Sequence, residues 1–275
     1  MRAFRGQPTI LASRKHEDKR AELEVKNLTL SFGGISALKD ITFTVKTGEL
    51  VSLIGPNGAG KTSLLNCITG FYRAQEGEIL FNGAEIGCRA THDLCKMGIG
   101  RTFQNIELFP GMTVLSNMLL ARHIHRNYGL GLACLFSRSV RREEVHHRRL
   151  LEELIDFLEM QPIRKKLVGF LPYGMRKRVE LGRALALEPK LLILDEPFAG
   201  MTLEEKEDMV RFLVTLNRSW GLTMVLVEHD MSIVMSISDR VVVLNFGVKL
   251  AEGAPDEVQN HPQVIKAYLG DSTPM

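Results

Sequence analysis

Four cysteines, one tryptophan and a net charge of only +3 are spread over 275 residues. Each scarcity excludes something. Cys67, Cys88, Cys95 and Cys134 form no C-x-x-C pair, so their spacing signals neither a zinc site nor a dithiol redox centre. Scattered single cysteines suit a reducing cytosol. Apolar runs are short: Gly129–Phe136 and Val241–Phe246 fall far below the roughly 18 residues of a membrane span. Arg2 and Arg5 are not followed by an apolar stretch, so the start does not read as a signal peptide. A charge this small does not by itself argue for a nucleic-acid partner, and none is expected. The excess charge sits at one end. Residues 1–20 hold six Lys/Arg and two Asp/Glu, a surplus of +4 that leaves −1 for the other 255. That stretch is expected to be a basic, disordered tail rather than a face of the fold. The expectation is a soluble, cytosolic chain that docks on a membrane protein rather than crossing the bilayer.

What is present is ordinary globular composition, 45% hydrophobic and 24% charged, with no repeat of fixed period and enough length for a sizeable core. Leu23–Phe32 and Ile41–Val45 alternate as strands do. Leu50–Ile54 and Leu191–Leu194 are short apolar runs of the kind found in a sheet covered on both faces. Leu222–Val227 and Arg240–Asn245 read as further strands, and Glu78–Phe81 as another that ends at an Asn82-Gly83 turn. From Thr113 to about Phe170 the pattern is mostly helical, with Leu151, Leu154, Ile155 and Leu158 on one stripe. Thr202-x-x-Glu205 is a capping box, followed by Met209, Leu213, Leu216 and Trp220 along one face up to Gly221. Pro262–Leu269 reads as a closing helix. The layout is a strand-rich start, a parallel α/β core, a helical insertion and a return to the core.

Two motifs carry chemistry. Gly55-Pro-Asn-Gly-Ala-Gly-Lys-Thr62 fits G-x-x-x-x-G-K-[ST] between an expected strand and helix. Its glycines let backbone N–H groups turn inward around phosphates, at a helix N-terminus that adds partial positive charge. Lys61 can reach the β- and γ-phosphates, and the Thr62 hydroxyl can bind Mg²⁺. In Leu191-Leu-Ile-Leu-Asp-Glu-Pro197, a buried strand delivers Asp195 and Glu196 to the edge where parallel sheets bind ligands. Asp195 is placed to hold the metal or its water, and Glu196 to polarise the attacking water.

A basic helix opened by Leu171-Pro-Tyr-Gly-Met lies 21 residues before Asp195 when counted from Gly174. With that segment in place, the chain from Glu22 to Gly270 resembles the ATP-binding cassette (ABC) family. The motifs stand in the family's order: P-loop, Gln104 in Arg-Thr-Phe-Gln-Asn, a signature ending in Gly174, Asp195-Glu196, and His229 in Val-Glu-His-Asp. The resemblance implies an α/β P-loop NTPase with an antiparallel β subdomain and a helical signature subdomain. Residues 1–20 would be the tail, 21–250 the ATPase domain with a helical insertion at about 105–188, and 251–275 a C-terminal helical extension. ATP and Mg²⁺ are the implied ligands. Nucleotide binding falls to Phe32, Gly55, Pro56, Asn57, Gly58, Ala59, Gly60, Lys61, Thr62, Ser63 and, across a dimer, Gly174. The metal falls to Thr62, Gln104 and Asp195, and catalysis to Glu196, His229 and Gln104. Phe32 matches the aromatic that stacks on adenine, although a core Phe at a strand end reads the same way. Ala199-Gly-Met-Thr202 matches the loop that reaches across the dimer.

The signature departs from the family's Leu-Ser-Gly-Gly-Gln. Pro172 lacks both the hydroxyl and the backbone N–H that the family serine offers a partner's γ-phosphate, while Gly174 remains. Arg101–Val114, the Leu-Pro-Tyr-Gly signature, Glu228-His-Asp-Met and the His261–Gly270 ending are similar to the ATPases of branched-chain amino-acid importers, the LivG type. That branch implies two transmembrane permeases, a second ATPase subunit, a periplasmic solute-binding protein, and a peripheral place on the cytoplasmic face of the inner membrane. A helical segment at roughly Glu107–Asn117 would meet the permease through Leu108, Phe109 and Met112, unless these pack inside the helical subdomain. Other importers (urea, amide or aromatic-acid) and a lipopolysaccharide-type exporter share the cassette, although an exporter is expected to carry Leu-Ser-Gly-Gly. Non-transport ABC ATPases usually have two cassettes or a long coiled coil, neither of which is visible. A P-loop kinase or GTPase would leave Gln104, Gly174 and His229 as coincidence.

Overall fold

A computed structural model describes residues 21–125 and 138–269. The basic tail at 1–20, the apolar run Gly129–Phe136 and the last six residues lie outside them. Two sheets share the chain. The first is antiparallel, with β1 (Leu23–Phe32), β2 (Ile35–Val45), β4 (Glu76–Phe81) and β5 (Ala84–Glu85) in the order β2-β1-β4-β5. The second holds β3 (Leu50–Ile54), β6 (Ile99–Arg101), β7 (Leu191–Asp195), β8 (Thr223–Val227), β9 (Arg240–Asn245) and β10 (Val248–Gly253). Its order is β10-β9-β3-β8-β7-β6, parallel except for the β10 edge. Strand β10 runs past residue 250, so the helices of the C-terminal extension begin only at Pro255.

The alternation in β1 changes parity, from Leu23 and Val25 to Leu28 and Leu30. The strand absorbs the change at a bulge, where Asn27 takes φ 49°, and Asp40 of β2 takes φ 51° at the next register shift. The Asn27 amide donates to the Asp40 carboxylate at 2.7 Å and holds the kink. The Asn82-Gly83 turn has both residues at positive φ, as a tight hairpin requires.

The central strands are apolar throughout because both faces are covered. Leu191 and Ile193 face a core shared with the antiparallel sheet and with Leu64, Leu65 and Ile68 of α1 (Lys61–Ile68). Leu192 and Leu194 face the opposite core. There they meet α3 (Val114–Ala121), α4 (Arg138–Phe157), α5 (Tyr173–Leu185) and α6 (Leu203–Val214). Sheet faces of this kind contribute about 1.5–3 kcal/mol per fully buried aliphatic side chain. Helix α2 (Thr91–Met97) leads into β6, and α7 (Met231–Ile237) joins β8 to β9. Helices α8 (Pro255–Gln259) and α9 (Pro262–Leu269) close the chain, and Val258 and Val264 pack on Ile54, Val241 and Val243. Burial pushes the Cys67 thiol up to about 11, as befits a core thiol without redox work.

One local expectation is corrected. Glu107–Asn117 is not a helix until Val114, because Pro110-Gly111 breaks the chain and Thr113 caps α3 by accepting from Ser116 N at 3.1 Å. The preceding loop is held by buried Asn117, whose amide bonds Phe109 N at 2.9 Å and Phe109 O at 3.1 Å. Phe109 and Met112 are exposed on that loop, while Leu108 packs against the core. The capping box at Thr202 and Glu205 is present as expected. Helix α6 continues into one wide turn at Thr215–Ser219, and Gly221 at φ 68° ends it.

Candidate functional site

The loop Gly55–Gly60 joins the C-terminal end of β3 to the start of α1, and its backbone is one that glycine alone adopts easily. Gly55, Gly58 and Gly60 have φ of 150°, 79° and 103°. A methyl group on Gly55 would lie 2.1 Å from Leu244 O, and one on Gly60 would lie 2.7 Å from Ala37 O. The cradle is therefore held from both sides by neighbouring backbone. Gly58 is open, with nothing within 4 Å of such a methyl. Lys61 is 7% exposed and donates to Gly55 O at 2.6 Å and Pro56 O at 3.0 Å. Burial lowers its pKa, opposed by the charges of Glu196 and Asp195. A buried ammonium hydrogen-bonded to two carbonyls in a glycine cradle fits an anionic guest. Exposed Thr62 and half-buried Ser63 follow it on the first turn of α1.

Strand β7 sends its last two side groups to different tasks. Asp195 is buried, and Glu196, just beyond the strand end, takes φ 48° and turns toward the open side. Its Oε2 accepts from Gln104 Nε2 at 2.8 Å, and its Oε1 lies 3.5 Å from His229 Nδ1. The fold thus brings together Gln104, Glu196 and His229, although they are scattered over 125 positions of sequence. The hydroxyl of Thr62, the carboxylate of Asp195 and the amide oxygen of Gln104 are hard donors, the chemistry a Mg²⁺ ion prefers.

Phe32 is 47% exposed at the tip of the β1–β2 hairpin, edge-to-face with Tyr72 at 5.1 Å between ring centres. That exposure rules out the core reading of Phe32. Gly174 is buried in the first turn of α5, far along the chain from the P-loop, with Pro172 at the N-cap. A methyl there would fall 2.1 Å from Glu205 Oε1.

Several supporting residues escaped the sequence. Glu228 is 1% exposed, and its carboxylate accepts from the backbone N–H of Phe198 (3.1 Å), His229 (2.9 Å) and Asp230 (3.3 Å). It ties the loop bearing His229 to the loop that follows Glu196. An acid at the end of an all-apolar strand was the available signal. Lys177 and Glu180 of α5 grip the backbone beside Gln104. Lys177 donates to Gln104 O at 2.8 Å, and Glu180 accepts from Phe103 N at 3.2 Å. Burial lowers the pKa of Lys177 and raises that of Glu180. In the C-terminal helix, Lys266 and Gln263 line a cleft of about 490 Å³ with Pro56, Asn57 and Ala59 of the loop.

Known proteins resemble this chain over most of its length. The family described as ABC transporter matches residues 38–199, and the family described as branched-chain amino acid ATP-binding cassette transporter matches residues 248–273. The chain is 41% identical over 254 residues to the high-affinity branched-chain amino acid transport ATP-binding protein BraF of Pseudomonas aeruginosa, covering 92% of this chain and 99% of that one. It is 37% identical over 250 residues to LivG of Escherichia coli strain K12, a protein of the same description, covering 91% and 98%. Among solved structures, the ADP conformation of MJ1267, an ATP-binding cassette of an ABC transporter, superposes with a TM-score of 0.79 at 31% identity, covering 91% and 99%. The dimeric cassette MJ0796 in a post-hydrolysis state bound to ADP and Pi gives 0.71 at 28% identity, covering 85% and 98%.

Proposed function

The chain belongs to the ATP-binding cassette transporter family, and from that premise we propose that it is the ATP-hydrolysing subunit of an importer for branched-chain or related hydrophobic amino acids. The observation that carries the reading is the meeting of Gln104, Glu196 and His229 beside the P-loop. The match at residues 248–273 and the names of the relatives support the amino-acid branch.

Lys61 exchanges its two carbonyl partners for phosphate oxygens of ATP, and the inward backbone N–H groups of Gly58 and Gly60 hold the same phosphates. Phe32 presents a stacking face to the base. Thr62, Asp195 and Gln104 would hold a Mg²⁺ ion, which would supply charge neutralisation at the phosphates. Glu196 accepts a proton from water as the water oxygen bonds the γ-phosphorus and the bond to the ADP oxygen breaks. The His229 ring faces the γ-phosphoryl oxygens, where charge is held in transfer. Gln104 bonds Oε2 of Glu196 here and leaves Oε1, on the His229 side, to accept from water. The loop after Gln104 exposes Phe109 and Met112, and a permease seated there would move Gln104.

The proposed assembly has two transmembrane permeases, a second ATP-binding subunit whose signature completes this site, and a periplasmic solute-binding protein. Among the described residues no helix is long and apolar enough to cross a membrane, which suits a peripheral place on the cytoplasmic face of the inner membrane. In this reading residues 21–250 form the ATPase domain, with the helical insertion at about 105–188 inside it and the tail at 1–20 before it. The test is a pull-down of tagged Glu196→Gln, held with ATP, from native membranes. Two different permeases with a second, different ATPase support the importer. Soluble partners, or a homodimer under one permease type, overturn it.

A further inference from the structure

Arg101 ends the three-residue strand β6, and its guanidinium is enclosed from four directions. Nη2 donates to Asp195 Oδ2 at 2.9 Å, between side chains only 7% and 4% exposed. Nη1 donates to Asn66 Oδ1 and to Thr69 Oγ1, both at 2.8 Å and both from the end of α1. The Thr69 hydroxyl spends its own proton on Leu65 O at 2.7 Å, so its lone pair is fixed toward Arg101. The guanidinium carbon lies 5.1 Å from the Phe103 ring centre and 5.9 Å from that of Phe71. Its Nε is buried without a partner. A buried ion pair of this kind is a poor source of stability, because desolvation offsets much of the attraction. Its value lies in holding a geometry.

We propose that Arg101 is a positioning residue for Asp195. It commits Oδ2 to the protein and leaves Oδ1 for a metal ion or its water. It also ties three parts of the site together: the P-loop helix through Asn66 and Thr69, the carboxylate at the end of β7, and the Gln104 loop that begins three residues later. Lysine could match the charge but not the three-way fork. The inference rests on Asp195 serving the metal.

The test uses Mn²⁺ as the probe, with its affinity for the ATP complex of the full chain read by electron paramagnetic resonance. Fluorescent ATP analogue binding in EDTA serves as the metal-free control. Arg101→Met is expected to weaken Mn²⁺ binding about tenfold, the scale seen when a group supporting a metal ligand is lost, while metal-free nucleotide affinity stays within about twofold. Arg101→Lys should fall between Met and the native residue. Adding Arg101→Met to Asp195→Asn should weaken Mn²⁺ no further, because the route through Asp195 is already gone. Native Mn²⁺ affinity in Arg101→Met, equal losses with and without metal, or additive losses in the pair would each overturn the proposal. If Arg101→Met does not fold, Asn66→Ala keeps the ion pair and removes one anchor; about threefold weaker Mn²⁺ binding is expected, and native affinity overturns the proposal. Should Asp195→Asn itself leave Mn²⁺ binding untouched, the reading of Asp195 fails, and the inference falls with it for that separate reason.

Discussion

Asp195 and Glu196 stand at the end of β7 and Lys61 follows the loop after β3, two strands in which every residue is buried, whereas Tyr173 and Gly174 start a helix whose N-cap is a proline. The first group is held before any ligand arrives. Backbone from β9 and β2 presses on the P-loop glycines, Arg101 grips Asp195, and Glu228 fixes the loops on either side of Glu196. The second group rests on its helix, with the Glu205 carboxylate against Gly174 and the Tyr173 ring against Gly200. Pro172 provides no side-chain cap, and Tyr173 is exposed. A nucleotide bound to one chain thus finds a finished pocket on the P-loop side. On the proposed reading, a phosphate held by another chain completes the signature side.

The sharpest break in this contrast is Glu196→Gln. It should lower ATP turnover by a factor of about 10² to 10⁴ while ATP binding in a filter assay stays close to native. Turnover at the native rate would remove Glu196 from its role. Lys61→Ala comes next: losing a buried ammonium that serves phosphate should weaken ATP binding about 10- to 100-fold, measured by titration calorimetry. On the other side of the comparison, Gly174→Ala puts a methyl into Glu205. Turnover should fall about tenfold with P-loop affinity unchanged, and a loss of affinity instead would place Gly174 in its own chain's pocket. Pro172→Ser returns a hydroxyl and an N–H to the helix start. It should raise melting stability by about 1 kcal/mol and turnover by no more than a few-fold, and a fall in both would show that the proline is required.

The smallest effect concerns the link between the two loops. Lys206 on α6 donates to Asp230 at 2.7 Å, next to His229, and that bond with the Ser232 hydroxyl lowers the Asp230 pKa from 3.8 to about 2. A depressed acid pKa stabilises the fold above the unfolded value, and the contribution fades as pH falls from about 4 toward 2. Lys206→Met should therefore cost about 0.5 kcal/mol at pH 7 and clearly less at pH 2, where Asp230 is partly protonated. An equal cost at both pH values would deny the ion pair.

Sequence made the P-loop side legible because its signals are local. The apolar runs Leu50–Ile54 and Leu191–Asp195, with the glycines and carboxylates at their ends, carry fold and chemistry in a few consecutive residues. Strand β6 was invisible: three residues, one of them Gly100, become a strand only by pairing with β7. Edge strand β10 has few buried residues and so little pattern. Helix α7 is two turns long. The loop at Glu107–Val114 misled because its apolar residues are spaced as in a helix, while Pro110-Gly111 and the Thr113 cap decide otherwise. Arg101 and Glu228 could not be assigned from sequence, since their partners lie up to 94 residues away. A charge inside or at the end of an apolar strand was the one trace they left.

Turnover per chain against chain concentration, measured alone and with the proposed second cassette, bears most directly on a site shared between chains. A site completed by another signature predicts turnover per chain that climbs with the concentration of the completing cassette and then saturates. ATP binding should stay one per chain throughout. Constant turnover per chain at every concentration, in both arms, would show that one chain hydrolyses ATP unaided and would contradict the account.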